Sequence, residues 1–307
     1  MQLIVLVILP FLGAAAVPAI GRMGRAGAVT TAVLPPAAAL LLLSSLAPHV
    51  LGGEPLILSW PWLPGFGLDL AFRLDGLSFL FAFLILAIGL LILAYSAAYF
   101  GHDRSLPRFL GLMLVFMGGM LGIVLAENLL LLVMFWEITS LTSFLLIGFE
   151  QRDAEARRSA LMALTITGAG GLALLGGVVL LGGVAGFNVA DVMHARERLI
   201  DDPLAVPILL LIVLAAFTKS AQLPLHFWLP QAMVAPTPVS AYLHSAAMVK
   251  AGIYLLARFW PVLSEIGLWT PLVAGTGLAT MIVTAYLALR QNDIKALLAY
   301  STISHPA

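Results

Sequence analysis

The sequence predicts an all-α, polytopic membrane protein with about nine transmembrane helices and the start of a tenth. Hydrophobic residues make up 62% of the 307 positions, charged residues make up only 10%, and the mean hydropathy is +1.07. A soluble domain carries about 25% charged residues. This chain therefore has too few charges to cover a water-exposed surface, and most of it must lie in lipid.

Each predicted span is a run close to the roughly 20 mostly apolar residues that a helix needs to cross a bilayer. The runs lie at 2–20, 28–50, 75–99, 109–126, 129–149, 159–184, 205–221, 239–260 and 270–290, and a further one begins at 296. Small residues at 14–16 resemble a signal-peptide cleavage region. Positive charges follow this first run instead of preceding it, which favours a retained helix.

Positively charged residues are divided unevenly between the loops on the two sides. Because cytoplasmic loops carry an excess of Lys and Arg, the imbalance predicts cytoplasmic odd-numbered loops and an N-terminus outside a bacterial inner membrane. The odd-numbered loops hold Arg22, Arg25, Arg104, Arg108, Arg152, Arg157, Arg158, Arg290 and Lys295, and the other side holds Arg73, Arg196, Arg198 and Arg258.

Residues 51–74 are too polar and too rich in proline and glycine to cross the bilayer. Short alternating apolar runs flank Pro64 and Gly65, which predicts a small hairpin on the outer face. Trp60 and Trp62 would suit the headgroup layer. Anchoring at the membrane surface is the expected role of this segment.

Composition excludes several functions. The chain has no cysteine, so disulfides and iron–sulfur ligation are excluded, and its net charge of zero gives no reason to expect nucleic acid. It has no GxxxxGK[ST] run, and the glycines at 168–186 are typical of helix packing in membranes. No pair of His or carboxylate residues within a span has metal-ligand spacing. We therefore expect no catalytic residue, no cofactor and no metal.

Three predicted spans carry ionisable residues that we single out, because charge inside a span is costly and usually functional. Glu137 lies in the fifth span within FWEITSLTSFLLIGF, whose four hydroxyl residues could hold water or relay protons. Lys219 lies late in the seventh span, and His244 and Lys250 lie in the eighth. In an α-helix these last two would be about 120° and ~9 Å apart, which suits successive stations on one path.

Each of these residues also has a structural interpretation. Glu137 could pair with a lysine only to hold helices together, and Lys219 could extend its amine to the interface. His244 could be a satisfied packing residue. Lys250 is the hardest to explain structurally, since apolar residues flank it for several turns on either side.

Prolines interrupt the chain directly after Lys219, at Pro224, Pro230, Pro236 and Pro238. Proline removes a backbone donor and breaks a helix, so the seventh helix is predicted to be discontinuous. Broken helices at membrane depth occur beside protein or a water-filled cavity, and they recur at the ion sites of transporters.

Three runs resemble the antiporter-like membrane subunits, which include the large subunits of Mrp-type sodium/proton antiporters and the pumping subunits of respiratory complex I. The large A subunit of the Mrp antiporter is the most similar, on the run at 111–140 and on Lys250, where the closest complex I subunit usually has another residue. The three runs are FWEITSLTSFLLIGF at 135–149, TKSAQLPLHFWLPQAMVAPTPVSAYLHSAAMVKAGIYLLARFWP at 218–261 and NDIKALLAYSTISH at 292–305.

The resemblance implies two inverted five-helix repeats, each with a broken helix. Residues 1–108 would hold the first three helices and the hairpin, 109–260 the first repeat, and 261–307 a truncated start of the second. The implied partners are other antiporter subunits, the lipid bilayer, protons and sodium. The resemblance also implies a proton relay through Glu137, Lys219, His244 and Lys250.

The expected mechanism rests on an ion pair between Glu137 and Lys219. Two unit charges about 4 Å apart interact by roughly 4 kcal/mol at an effective dielectric of about 20, so separating the pair would favour proton loss from Lys219. The proton would then pass through water and His244 to Lys250.

Two alternatives stay open at this point. The chain could belong to the membrane arm of an NADH:quinone oxidoreductase or a membrane hydrogenase. It could also be a truncated remnant that transports nothing, because it stops at Pro306 and Ala307 without a second repeat.

Overall fold

The computed structural model describes residues 1–21 and 24–305, apart from the side chains of Ser245 and Ala246. Arg22, Pro306 and Ala307, which entered the predictions above, lie outside the described residues. The described chain is almost entirely helical, and the predicted class of all-α polytopic membrane protein is confirmed.

Within the described residues, eight helical stretches are long and apolar enough to cross a membrane, and the apolar helix α10 is shorter. The helices up to residue 185 are α1 (Gln2–Ile20), α2 (Arg25–Ser45), α3 (Ala47–Leu51), α4 (Gly76–Phe100), α5 (Leu106–Leu125), α6 (Leu129–Ile147) and α7 (Ala154–Ala185). The later helices are α8 (Val189–His194), α9 (Arg196–Ile200), α10 (Ala205–Lys219), α11 (Trp228–Gln231), α12 (Thr237–Val239), α13 (Met248–Leu263), α14 (Trp269–Leu289) and α15 (Ile294–Ser304).

Polar residues in the loops begin several of the long helices. The side chains of Asp75, Asn128, Asp153 and Asp293 each accept a backbone N–H from the first turn of α4, α6, α7 and α15, respectively. These caps satisfy donors that a helix N-terminus leaves without a partner. The few polar residues between the apolar runs therefore also mark where the spans start.

The segment between α3 and α4 forms an antiparallel hairpin in two parts. Its strands are β1 (Leu56–Leu58), β2 (Pro61–Leu63), β3 (Leu68–Asp69) and β4 (Phe72–Leu74), with β1 paired to β4 and β2 to β3. Trp60 and Leu70 exchange backbone hydrogen bonds between the two parts. The hairpin leads directly into the Asp75 cap of α4.

Helix α5 is the centre of the bundle and packs against α1, α2, α4 and α6. Its glycines let aromatic side chains approach its backbone. The ring of Phe11 lies against Gly118, and that of Phe135 occupies the space in which Gly122 would carry a Cβ. Small residues serve this purpose at helix contacts in membranes, where close packing replaces the hydrophobic effect.

A second group of helices surrounds α10, which packs against α7 on one side and α13 on the other. Gly252 of α13 leaves room for the carbonyl of Ala216 and the hydroxyl of Ser220. Helices α14 and α15 pack against each other, and α15 also contacts α11. This arrangement holds the end of α10 inside the protein, between α6, α7 and α13.

Candidate functional site

Lys219 is the last residue of α10 and is fully enclosed, with 0% of its surface exposed. Its Nζ donates hydrogen bonds to Trp136 O (3.1 Å), Thr139 Oγ1 (2.9 Å) and Ser140 Oγ (2.8 Å), all on α6. It also lies 4.9 Å from the centroid of the Trp136 ring. The amine is therefore surrounded by neutral oxygens and an aromatic face.

The two hydroxyls that accept from Lys219 are oriented by the helix that carries them. Thr139 Oγ1 donates to Trp136 O at 2.7 Å, and Ser140 Oγ donates to the same carbonyl at 3.1 Å. Because each hydroxyl hydrogen points at the carbonyl, the oxygen lone pairs are free for the amine. The run of hydroxyl residues after Glu137 thus supplies ligands for Lys219.

Glu137 lies on the adjoining face of α6, towards α7. Its side chain is half-buried, and its Oε1 is enclosed and has no hydrogen-bond partner among the described residues. It fits there because Gly171 has no side chain, and a Cβ at that position would collide with Oε1. The neighbouring Gly170 makes the same room for Thr218 Oγ1 of α10.

The direct ion pair predicted between Glu137 and Lys219 is not formed. Within the described chain, no oxygen of Glu137 lies within 4.0 Å of the Lys219 amine. Successive positions on a helix point about 100° apart, so the face of α6 that carries Trp136, Thr139 and Ser140 is not the one that carries Glu137. The Lys219 amine is therefore bound by hydroxyls of α6, and the carboxylate of Glu137 belongs to the residue that follows Trp136.

The seventh transmembrane helix is interrupted after Lys219, where α10 ends. Pro224 precedes a 3₁₀ turn at Leu225–Phe227, and Pro230 lies in the single turn of α11. Pro236 and Pro238 lie at the start of the eighth span, where α12 begins, and not in the seventh. The prolines therefore separate the two spans as well as breaking one.

Side chains hydrogen-bond to backbone carbonyls in and next to the interrupted segment. Trp228 Nε1 donates to Thr218 O at 3.0 Å. Lys295 Nζ, which the sequence placed in a cytoplasmic loop, reaches Met233 O (3.4 Å) and Ala235 O (3.2 Å). Buried backbone groups without partners are costly, so these bonds stabilise the interrupted segment.

His244 lies in a π-helical segment, Ser240–Ala247, that leads into α13. It is fully buried, and its ring meets that of Trp228 edge to face, with 5.9 Å between centroids. Neither ring nitrogen has a partner among the described side chains. The angle of about 120° predicted between His244 and Lys250 is wrong, because it assumed α-helical turns and the turns of a π-helix are wider. Short π-helical segments frequently occur at functional sites.

Lys250 lies in the first turn of α13 and is half-buried. No hydrogen bond or ion pair of its amine is found within the part of the chain that the structure describes. The structure thus brings Glu137 and Lys219 together through neighbouring residues of α6. It places His244 and Lys250 on the adjacent, discontinuous span.

The sequence did not predict a second polar centre, formed by Arg73, Asp75, Glu127 and Arg258. Arg258 was placed in a loop, but it lies inside α13 and is only 6% exposed. Its Nη2 donates to Asp75 Oδ1 (3.0 Å), and its Nη1 also pairs with that carboxylate. The sequence did contain an indication that Arg258 lies within its span, because no loop residue separates it from the apolar residues before it.

The fold and the enclosed ionisable side chains define a polytopic α-helical membrane protein with charge-bearing residues inside its bundle. Residues 126–307 match the family model described as "NADH:quinone oxidoreductase/Mrp antiporter, TM", and the chain belongs to this family. Residues 60–110 match a second model, "NADH-Ubiquinone oxidoreductase (complex I), chain 5 N-terminus".

Individual proteins agree with this assignment. The chain is 50% identical over 266 residues to a probable K(+)/H(+) antiporter A/B subunit of Rhizobium meliloti (strain 1021), covering 86% of this chain and 27% of the relative. It is 46% identical over 259 residues to a protein of Staphylococcus epidermidis named "Putative antiporter subunit mnhA2", covering 84% of this chain and 32% of the relative.

A solved structure agrees as well. A chain in the structure of the Mrp complex from Dietzia sp. DQ12-45-1b superposes with a TM-score of 0.88 at 38% identity, covering 100% of this chain and 33% of that one. The chain therefore spans about a quarter to a third of the length of these proteins. The predicted resemblance to the N-terminal part of the large A subunit of the Mrp antiporter is confirmed.

Proposed function

We propose that this chain supplies a proton-carrying part of one subunit of a multisubunit cation/proton antiporter in a bacterial inner membrane. Glu137, Lys219, His244 and Lys250 carry the proton. The observation that supports this most strongly is the environment of Lys219, whose amine is buried at a helix break and held only by neutral oxygens. The antiporter names of the relatives support the same function.

A lysine in this environment can exchange its proton without breaking a salt bridge. Thr139 and Ser140 can bind the charged amine as acceptors, and hydroxyl hydrogens that turn toward the neutral amine can bind it as donors. The carboxylate of Glu137 lies one residue from Trp136, whose carbonyl and ring contact the amine. A move of either side chain into contact would favour the charged lysine, and separation would favour release.

The proton then continues to the next span. Imidazole nitrogens can bind and release a proton, and both ring nitrogens of His244 are enclosed without a hydrogen-bond partner among the described residues. Lys250 follows it across the change from π to α geometry. The drive is the proton gradient, so this protein needs no redox centre of its own.

All four residues lie within 109–260, which we assign as the first five-helix repeat. The N-terminus lies outside, the hairpin at 51–74 faces the outer side, and the protein works with the other subunits of the complex. Exchange by the whole protein requires these partners and the remaining length that its relatives have.

The exchanged cation is sodium or potassium. Sodium is what the resemblance to Mrp-type antiporters implies. Potassium is favoured by the name of the relative from Rhizobium meliloti, which is 50% identical. A membrane-arm subunit of a redox complex remains a second candidate, because the family description names NADH:quinone oxidoreductase alongside the antiporter.

The test is cation-dependent proton movement in everted vesicles from antiporter-deficient cells. The complete protein that carries this chain is expressed with its partner subunits, and sodium and potassium are added separately. We expect exchange in wild type and in Arg152→Met, a matched change at an exposed basic residue, and none in Lys219→Met at equal complex levels. Exchange that persists in Lys219→Met would contradict its role. An assembled wild-type complex without exchange of either cation would favour the redox candidate.

A further inference from the structure

The second polar centre joins four separate parts of the chain at one end of the bundle. Arg73 lies in β4, Asp75 caps α4, Glu127 lies in the link between α5 and α6, and Arg258 lies in the second half of α13. Burying charged groups is costly unless they are paired. The two carboxylates of this centre differ, however, in how completely hydrogen bonds and positive charge compensate their burial.

Asp75 is fully satisfied. Besides the paired contact with Arg258, it accepts from Arg73 Nε (2.9 Å), Ser78 N (3.0 Å) and Ser78 Oγ (2.9 Å). Burial would raise the pKa of Asp75, but the hydrogen bonds and positive charge of Arg258 lower it well below its usual value. This carboxylate therefore stays ionised and stays in place.

Glu127 is as deeply buried as Arg258, with 3% of its surface exposed, but it has fewer partners. Its Oε1 accepts the backbone N–H of Ala190 at 2.8 Å. Its Oε2 accepts no hydrogen bond from the described residues, and the nearest cation, Arg73 Nη1, lies 3.5 Å away. Burial raises the pKa of Glu127, although Ala190 and Arg73 oppose this effect.

Two cations among the described residues act on the carboxylate of Glu127, namely Arg73 and Arg258. Arg73 is shared with Asp75, and Arg258 is bound to Asp75 and to the Tyr254 hydroxyl. Asp191, the acidic residue of the neighbouring α8, accepts from Asn188 instead. Arg73 is thus the one cation in this part of the structure that two carboxylates share.

The centre is also connected to the proposed relay. Lys250, Tyr254 and Arg258 are spaced four residues apart in α13 and lie along one side of it. The Tyr254 hydroxyl accepts from Arg258 Nη2 (2.9 Å) and donates to Val124 O (2.9 Å), three residues before Glu127. Eight residues of helix, about 12 Å, separate Arg258 from Lys250, and the same length separates the start of α6 from Glu137.

We propose that Glu127 is a further proton-binding residue of this protein, and that Arg73 moves between Asp75 and Glu127 as Glu127 gains or loses its proton. When Oε2 carries the proton, Arg73 pairs with Asp75 alone. When the proton leaves to water, Arg73 moves toward Oε2 and compensates the new charge, so no charge is left isolated. Proton binding by Glu127 does not depend on antiport, but its use in transport rests on the proposed function.

The test is infrared difference spectroscopy of the purified complete complex over a pH titration. Protonated carboxyl groups have a carbonyl stretching band that ionised ones lack. We expect a band that survives to a higher pH than those of exposed carboxylates, that is lost in Glu127→Gln and that is kept in Glu155→Gln, a matched change at an exposed position. A spectrum of Glu127→Gln identical to wild type overturns the proposal.

A second variant tests the role of Arg73. In Arg73→Gln the band of Glu127 should persist about 1 to 3 pH units higher, because a nearby positive charge lowers a carboxyl pKa by that amount. An unchanged titration overturns the coupling to Arg73. Glu137→Gln is measured in parallel, so that a band from the relay is subtracted. Since no step requires transport, failure of antiport and failure of this proposal give different results.

Discussion

Lys219 and Arg258 are two buried basic residues of the same bundle, and they are held in opposite ways. Lys219 contacts a carbonyl and two hydroxyls and has no paired carboxylate in the described structure. Arg258 forms a two-point contact with Asp75 and further bonds to Tyr254 and Ser78. The first charge is solvated by dipoles and the second is neutralised by an opposite charge.

The difference follows from the chemistry of the two side chains. A guanidinium cannot lose its proton in a protein, so an arginine inside a membrane span requires a permanent counter-charge. A lysine can lose its proton, and a fixed counter-charge would oppose this change. The contrast teaches that a buried basic residue suited to proton transfer is one whose neighbours tolerate both of its forms.

The largest expected difference between the Lys219 and Arg258 sites is in the free energy of unfolding after each basic residue is replaced. Arg258→Met leaves the Asp75 carboxylate without its main partner, so the free energy of unfolding should fall by about 3 kcal/mol. Lys219→Met replaces a buried charge by an apolar chain and should leave stability unchanged or raise it by about 1 kcal/mol. Reversible denaturant titration of the detergent-solubilised complex measures both.

The control for this experiment is the double variant Asp75→Asn/Arg258→Met, which removes both charges. It should recover much of the lost stability, because a charge no longer remains alone. Equal losses in Arg258→Met and Lys219→Met would remove the distinction between the two centres.

The next largest effect is expected on exchange, when the Glu137 carboxylate is displaced. In Gly171→Ala the new Cβ would collide with Oε1, and the flexible side chain can swing away without unfolding the protein. We expect exchange to fall by about tenfold, which corresponds to about 1.4 kcal/mol in the barrier. Vesicle assays at equal protein level measure it.

Gly168→Ala is the matched change for Gly171→Ala on the same helix. Nothing lies within 4 Å of a Cβ at Gly168, and the helix propensity changes equally. It should exchange like wild type. If both variants lost exchange to the same degree, the glycines would act through helix packing in general and not through Glu137.

His244→Leu tests whether an unpaired buried side chain is kept for function. Removing two ring nitrogens that have no partner in the described structure should leave stability unchanged or raise it by about 1 kcal/mol. Exchange should nevertheless fall. His102→Leu, at an exposed position, serves as the control. A loss of stability without a loss of exchange would indicate a packing role.

Lys250→Ala should have the smallest effect on stability. The residue is half-buried and has no described polar contact, so the free energy of unfolding should stay within about 0.5 kcal/mol of wild type. Exchange should still fall, because the residue lies after His244 on the proposed path. Normal exchange would shorten the relay to Glu137, Lys219 and His244.

Much of the site could be predicted because charge is rare in this chain. Glu137, Lys219 and Lys250 were identified by their position within apolar runs, and the break after Lys219 by its prolines. Their positions were predictable because lipid imposes a single strong constraint on each residue, while their part in proton transfer stays a prediction. The partners of Lys219 were harder to predict, because a face of a helix is chosen by packing.

The ion pairs around Arg258 could not be predicted from the sequence. Asp75 and Arg258 are 183 positions apart, and each is near the end of a span, where a charge needs no special explanation. Lys295 was likewise placed in a loop, but its amine contacts two carbonyls of the interrupted segment. Residues at membrane boundaries carry little signal, since water and a buried partner can satisfy them equally well.

The order of residues is enough to establish that this chain crosses a membrane many times and roughly where each span lies, and to place Glu137, Lys219, His244 and Lys250 within spans. Hydrophobicity decides these features locally, residue by residue. The packed structure was needed to show that hydroxyls and not Glu137 hold Lys219, that a π-helical segment carries His244, and that Arg73 is shared by Asp75 and Glu127. These features depend on contacts between distant segments, and such contacts form only when the helices pack.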